Sequence, residues 1–393
     1  MRLFFFALLL MFCAPLHAAE FGGHFELDLE SEHNFDLDHD ESDTLTLLAP
    51  ELQLELSLNP LEDVNVYLQT ELKRKFELKE EGKDKDRDWS LELEEVWVEF
   101  PVLDSGVILR LGRQDFEDDR EWLYDQELDG LRLFYMTDKL AVELAAVRHL
   151  AFRMEFLDER GESELDLYEA IVSHSPFIGL ELSAYAIKQN GRNDNLANPW
   201  WVGLRSRGKV EKYLQHWGEL AFVRGDDDGD SLNGYAFDVG FTLIGEGDYQ
   251  PNATFALARG NEGYRQTGYQ DNDDRFAGVT SFRYYGEVLD PELSNLQIVT
   301  LGAGFRPSRK SSIDLVWHYY TQAERSDEMR DIALPDPDGS SRQLGQEIDL
   351  IIGYREIKGL KLELIMGWYL PGNAYSENDD TAFFLGSEAR FTF

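Results

Sequence analysis

The sequence predicts an all-β protein: a transmembrane, antiparallel up-and-down β-barrel of the outer-membrane type, with about eighteen strands. Three observations predict it. Apolar and charged residues alternate with a period of two through most of the 393-residue chain. The first residues read as a secretory leader. Beyond that leader, no run approaches the 18 or so apolar residues that a membrane-spanning helix needs.

The leader is the first element. Arg2 precedes the apolar run Leu3–Phe12, and Ala14-Pro15-Leu16-His17-Ala18-Ala19 supplies small residues for a cut after Ala18 or Ala19. Residues 1–19 are therefore expected to be removed, leaving 20–393 as one barrel domain. Cys13, the single cysteine, would go with the leader, and Phe12 before it does not suit a lipoprotein signal.

The strands follow. Leu52, Leu54, Leu56 and Leu58 alternate with Glu51, Gln53, Glu55 and Ser57. Ile313, Leu315, Trp317 and Tyr319 oppose Asp314 and His318; Ile348, Leu350, Ile352 and Tyr354 oppose Glu347, Asp349 and Arg355. Leu362, Leu364, Met366 and Trp368 oppose Lys361, Glu363 and Ile365, and Phe383, Leu385, Ala389, Phe391 and Phe393 oppose Glu388, Arg390 and Thr392. Successive strand side chains point to opposite faces, so each segment has one apolar and one charged face.

About nineteen such segments are separated by polar breaks, and barrels of this type use even numbers, with short turns at one rim and longer loops at the other. Pro307–Lys310 and Glu356–Gly359 fit short turns, while Glu324–Gly345 and Pro371–Asp380 fall on the outer side. The alternation closes at eighteen if Arg275–Tyr285 belongs to a long outer loop running to Leu296. A barrel of that size leaves an aqueous lumen. Aromatics near strand ends (Trp97, Trp317, Tyr319, Trp368, Tyr369, Phe391, Phe393) fit girdles at the lipid–water interfaces. The last strand ends on Phe393, like the terminal aromatic of outer-membrane barrels. A soluble sandwich would alternate too, but at about 100 residues per domain it should show a boundary, and none is visible.

Composition removes whole classes of function. The chain holds 76 acidic residues against 37 basic ones, a formal net charge of −39, which repels phosphate backbones and excludes nucleic-acid binding through a basic surface. One cysteine excludes disulfide scaffolds and thiolate-held metals, and His149, His174, His216 and His318 have no metal-ligand spacing. There is no G-x-S-x-G and no Ser/His/Asp set singled out by spacing, so no enzyme is expected. The acidic runs Asp226–Asp230 and Asp271–Asp274 lack the spacing of a calcium loop and are expected to be solvated outer loops. No cofactor or metal is expected.

Three stretches stand out: Gly112-Arg113-Gln114-Asp115 with Leu128-Asp129-Gly130-Leu131-Arg132; Gly286–Leu296, containing Pro291-Glu292-Leu293-Ser294-Asn295-Leu296; and Gly345-Gln346-Glu347-Ile348-Asp349. In this order the sequence, from about residue 90 onward, resembles the alginate-export family of outer-membrane porins. The resemblance implies a large monomeric barrel that conducts an anionic polysaccharide.

The same residues carry a reading of their own. Arg110 and Gln114 share a face opposite Val107, Leu109 and Leu111, and Arg132 opposes Leu131 and Leu133. If the apolar faces meet lipid, these polar side chains face the lumen, where an arginine fork suits a carboxylate. Arg120, Asp129, Glu347, Asp349 and Arg355 complete the expected pore lining, the carboxylates pairing with arginines to set a constriction. The alternative is an ion-pair ladder that only stiffens the wall.

The function expected is passive export of an anionic polysaccharide, or diffusion of a related charged solute, across the outer membrane. Its expected partners are outer-membrane lipid, the polymer or small solute, and a periplasmic secretion partner. Two other readings are an uptake porin for small organic molecules or sugars, and a structural or adhesive surface barrel with a blocked lumen. The charge of −39 is at odds with polyanion transport unless the acids sit in the outer loops.

Overall fold

The computed structural model describes residues 18–38, 43–79, 89–149, 165–191, 197–227, 229–375 and 380–393. The leader expected at 1–19 lies almost wholly outside the described residues. Eighteen strands close into one antiparallel barrel. The first six are β1 (Ala18–His33), β2 (Thr44–Leu61), β3 (Val64–Lys73, continued by Phe76–Lys79), β4 (Ser90–Pro101), β5 (Val107–Glu117) and β6 (Asp125–Met136). The next six are β7 (Leu140–His149), β8 (Leu165–Phe177), β9 (Leu180–Gly191), β10 (Trp200–Val210), β11 (Leu214–Asp227) and β12 (Asp230–Ile244). The last six are β13 (Asn252–Gly260), β14 (Leu296–Ser308), β15 (Ser311–Gln322), β16 (Gln343–Tyr354), β17 (Leu360–Pro371) and β18 (Ala382–Thr392).

Each strand pairs with the next, and β1 pairs with β18 from His24↔Thr392 to His33↔Phe383, which closes the sheet. Closure leaves no edge and satisfies the backbone without water, the condition for spanning hydrocarbon. Short connections such as 62–63, 178–179 and 309–310 gather at one rim, and the long ones, 261–295 and 323–342 among them, leave from the other.

The period of two resolves as expected. Leu204, Leu220, Phe222, Leu301 and Leu315 are exposed on the outside of the barrel, while Glu219, Asp238, Asp314 and Asp349 are buried on the inside. In water such an apolar surface would cost about 25 cal/mol per Å²; against hydrocarbon that cost is absent. Two of the expected girdle aromatics point inward instead: Trp97 stacks on Tyr67 with ring centroids 5.3 Å apart, and Tyr369 is fully buried. Their parity, shared with Glu95 and Glu363, assigns them to the lumen face.

The connection 261–295 leaves the outer rim and folds down into the barrel. Phe276 stacks on Trp217 of β11 at 5.6 Å, and the Val279 amide donates to Ser312 Oγ near the short-turn end of β15. A two-residue ladder joins Asp273–Asp274 to Phe282–Arg283. Phe276, Phe282, Tyr284, Tyr285, Val288, Leu289 and Leu293 of this segment are all buried in one apolar cluster with the wall. The Asp271–Asp274 run, expected in a solvated loop, is thus carried into the lumen by the apolar residues around it.

Candidate functional site

Three of the joints between wall and inward segment frame the lumen. In the first, Glu347 of β16 accepts the amide of Val288 at 2.6 Å and that of Leu289 at 3.1 Å. Tyr320 donates its hydroxyl to the Tyr285 carbonyl at 2.8 Å and also meets Glu347 at 3.1 Å. Gly286 has φ +119, and a Cβ there would run into the Tyr320 hydroxyl, so this close approach requires glycine. Two of the three sequence stretches, Gly286–Leu296 and Gly345–Asp349, are therefore halves of one joint.

The second joint is lower. Arg306 of β14 donates to the Ala277 carbonyl at 2.9 and 2.6 Å and to the Gly278 carbonyl at 3.1 Å. The third centres on Asp238 of β12, which is 1% exposed. It accepts from Arg120 at 3.0 Å, from Trp217 at 3.0 Å and from Tyr285 at 3.3 Å. Arg120 spans to Asp274 at 3.0 Å, and Trp122 donates to the Tyr285 hydroxyl at 2.9 Å. Burial pushes Asp273 up to about 8, with Glu287 and Asp274 adding to the shift. Burial also pushes Glu121 up to about 9, with Asp273 the next cause.

Below these joints a cavity of about 2160 Å³ extends to the short-turn rim. Its lining carries twelve Lys and Arg against seven Asp and Glu, the reverse of the chain's overall balance. Arg306, Arg309, Lys310, Arg355 and Lys358 come from two neighbouring short turns and the adjoining strand ends; Lys139, Arg207, Lys209, Lys361 and Arg390 come from further round the wall. The opposing carboxylates are concentrated elsewhere. The long connections hold Asp36, Asp38, Asp331, Asp336 and Asp338. The lumen face of β1–β4 adds Glu26, Asp28, Glu51, Glu71, Glu92 and Glu99. The acids are therefore partly in the outer loops and partly in one side of the wall.

The expected lining residues separate into groups. Arg120 and Arg355 line the cavity, Arg355 while held at 3.0 Å by Glu363. Arg110 and Arg132 face inward and lie opposite each other on β5 and β6. Arg110 pairs with Glu99 at 2.7 Å and lies over Trp97; Arg132 pairs with Glu143 at 2.5 Å and lies over Phe116. These contacts have the form of an ion-pair ladder along the wall. Gln114 is fully buried, its amide donating to the Gly112 and Gly130 carbonyls at 3.3 Å. Gly112 has φ +130, and a Cβ there would strike the Val96 carbonyl, which accounts for that glycine.

Asp129 is a correction. It shares the parity of Leu131 on the outward face, where Arg113 approaches it at 3.9 Å, so it does not line the pore. Glu347 and Asp349 are corrected in role. Both face inward but are completely buried, and neither has an arginine partner among the described residues. Glu347 holds backbone amides, and Asp349 lies 3.4 Å from His318. Asp238 and the short-turn cations were not among the expected residues. The signal for the cations was present: Arg309-Lys310 and Lys358 sit in segments already read as short turns.

Among the described residues, Glu26 with Asp28 and Glu388, and Glu71 with Glu92 and Glu94, bring three carboxylates within 4.8 Å of one another. Arg390 and Lys361 balance the first set and Lys73 the second. A third set, Glu121, Asp125 and Asp271, lies toward the outer rim.

Comparison with known proteins adds the following. A family model described as alginate export matches residues 17–383. The alginate production protein AlgE of Pseudomonas aeruginosa is 24% identical over 368 residues, covering 77% of this chain and 74% of that protein. Its counterpart in Pseudomonas syringae pv. tomato is 23% identical, with 73% and 72% covered. Among solved structures, OccK5 (OpdH) of Pseudomonas aeruginosa superposes with a TM-score of 0.62 at 11% identity, covering 97% of this chain and 99% of that one. OccAB4 of Acinetobacter baumannii gives 0.61 at 12% identity, covering 95% and 98%. At these identities the structural likeness concerns the fold alone.

Proposed function

The chain belongs to the alginate-export family of outer-membrane channels, and from that premise we propose that it passes an alginate-like uronate polymer outward through the cation-lined cavity at its short-turn rim. The family is one of transporters rather than enzymes. The observation that carries the proposal is the cavity's lining of twelve cations against seven acids in a chain of net charge −39. A polymer bearing one carboxylate per sugar meets an opposed charge only where the acids have been moved away. At that mouth the field concentrates polyanions from the periplasm, and water-filled geometry lets them slide rather than bind permanently.

Arg355, near the mouth of the cavity, is proposed as a pore-lining contact, and Arg120, held between Asp238 and Asp274, as the joint that bounds the cavity at its upper end. Arg110, Gln114 and Arg132 hold the shape of the wall. Glu347 and Asp349 hold the inward segment that narrows the lumen. Passage needs no nucleotide or cofactor in this account, because the polymer moves down its own gradient. Residues 1–19 are proposed as a cleaved leader and 20–393 as a monomeric barrel, with a periplasmic secretion partner delivering polymer to the short-turn rim. The intact mass of the membrane-extracted protein tests the cut.

Single-channel recording in a planar bilayer tests the function. Oligouronate should interrupt the current at concentrations where neutral dextran of equal length does not. Equal block by both would remove charge from the mechanism and favour an uptake porin for neutral sugars. A barrel giving no current steps at all would favour the surface-protein reading.

A further inference from the structure

The outside of the barrel carries a patterned row that channel function does not use. On four adjacent strands, Tyr168 of β8, Lys188 of β9, Trp200 of β10 and Arg224 of β11 lie directly across from one another, all on the outward face. The order is aromatic, cation, aromatic, cation. One residue pair nearer the outer rim, Arg113, Asp129, Arg148, Asp166 and Asn190 form a second transverse row across β5–β9. In that upper row the charges neutralise each other: Arg148 meets Asp166 at 2.8 Å and Arg113 meets Asp129 at 3.9 Å.

The lower row is different. The Arg224 side chain has no hydrogen bond or ion pair to any described residue, and the Lys188 side chain donates only to the Asn198 carbonyl, at 2.6 Å. Tyr168 is 48% exposed and Trp200 38% exposed. Lys188 and Arg224 each stand three residues from the outer end of their strands, within roughly 10 Å of the rim at about 3.3 Å per residue. Directly below them the outward face becomes purely apolar, with Leu182, Leu204, Leu220 and Phe222 exposed. The row therefore lies where hydrocarbon gives way to head groups.

We propose that the Tyr168–Lys188–Trp200–Arg224 row binds the head group of a phosphorylated glycolipid of the outer leaflet. Charge complementarity selects the occupant. Two cations without an ion pair among the described residues, about 10 Å apart across two strand spacings and offset only in part by Asp226 two residues above Arg224, call for an anion at lipid level, although the chain as a whole repels anions. The aromatic between them offers a flat face to a sugar ring, and the second cation reaches a phosphate on the far side. The acidic connections above would otherwise push such a lipid away, so the row gives the barrel a favourable seat in an anionic leaflet.

Native mass spectrometry of the full folded barrel in non-ionic detergent tests this, with bisphosphorylated lipid A and its phosphate-free form as probes. Wild type should retain the bisphosphorylated lipid, and K188Q/R224Q should bind it at least tenfold more weakly. The exposed single variant R224Q serves as a second reading should the double variant fold poorly. W200A, which keeps both cations, should lose a smaller factor of about threefold. Single-channel conductance and heat-modifiable gel mobility should stay at wild-type values throughout, since these side chains face away from the lumen. Equal binding by wild type and K188Q/R224Q would overturn the proposal, as would equal affinity for the phosphate-free lipid. Displacement by millimolar inorganic phosphate would assign the row to a free anion and overturn it. A polypeptide that copurifies with wild type and is lost from K188Q/R224Q would give the surface to a protein, with the same consequence.

Discussion

The Glu347 carboxylate and the Val288 amide are 2.6 Å apart, although 59 residues separate them in sequence. Through this contact a strand of the barrel wall fixes the segment that narrows the barrel's interior. The same carboxylate takes the next amide, Leu289, so one side chain satisfies two buried donors. Together with Arg306 on Ala277 and Gly278, and Arg120 between Asp238 and Asp274, it makes the segment part of the wall.

Replacing Glu347 with Ala should leave both amides buried without an acceptor, at about 1–3 kcal/mol each. The barrel itself, held by eighteen strand ladders, should still form and show heat-modifiable mobility. The channel should show noisier current and a higher mean conductance as the segment loosens. A quiet channel of wild-type conductance would show that Glu347 does not position it.

Reversing three short-turn cations, in R309E/K310E/K358E, changes the lining from a basic to a slightly acidic balance. Block by oligouronate should then need at least tenfold more ligand at low salt. The difference between wild type and variant should shrink toward 1 M salt, where the screening length falls to about 3 Å. Planar-bilayer titrations at two salt concentrations check both effects. By contrast, R110A and R132A should weaken the wall more than the block, because Glu99 and Glu143 already compensate those arginines.

Raising the pH should loosen the inward segment. Burial raises Glu287 and Glu292 to about 7, and Asp273 to about 8. A carboxyl whose folded pKa lies above its unfolded one binds more protons when folded, so its contribution to stability falls as pH rises. That loss begins above the unfolded carboxylate range and is complete once pH has passed through about 8. Current noise should therefore grow between pH 6 and pH 9. The D273N variant should show a smaller rise over the same interval. Noise that does not change with pH would contradict the assignment.

Much of the fold was legible because a strand has only two faces. Once Leu52–Leu58 and Ile348–Tyr354 are seen to alternate, the choice of lipid for the apolar face orients every neighbour. The direction of the connections, and with it the count of eighteen, followed from Pro307–Lys310 and Glu356–Gly359 being short. The site was less legible, for two physical reasons. Which cations converge depends on closure: Lys139, Arg207, Arg306 and Lys358 become neighbours only when the sheet meets itself. The inward path of 261–295 was hidden by its acidic residues, which read as solvent-facing. Its density of Phe276, Phe282, Tyr284, Tyr285, Val288, Leu289 and Leu293 was the signal that it needed a core to pack against. Asp129 was misplaced because a motif was read as a unit, although its successive residues alternate between lumen and lipid.

The central claim is that the charge of the two rims is opposite in effect: cations gather at the short-turn mouth while acids occupy the long connections. Adding oligouronate to one side of a single oriented channel tests it most directly. The account predicts block at a markedly lower concentration from the short-turn side than from the long-loop side, with the asymmetry lost in R309E/K310E/K358E. Equal block from both sides, or tighter block from the long-loop side, would contradict it.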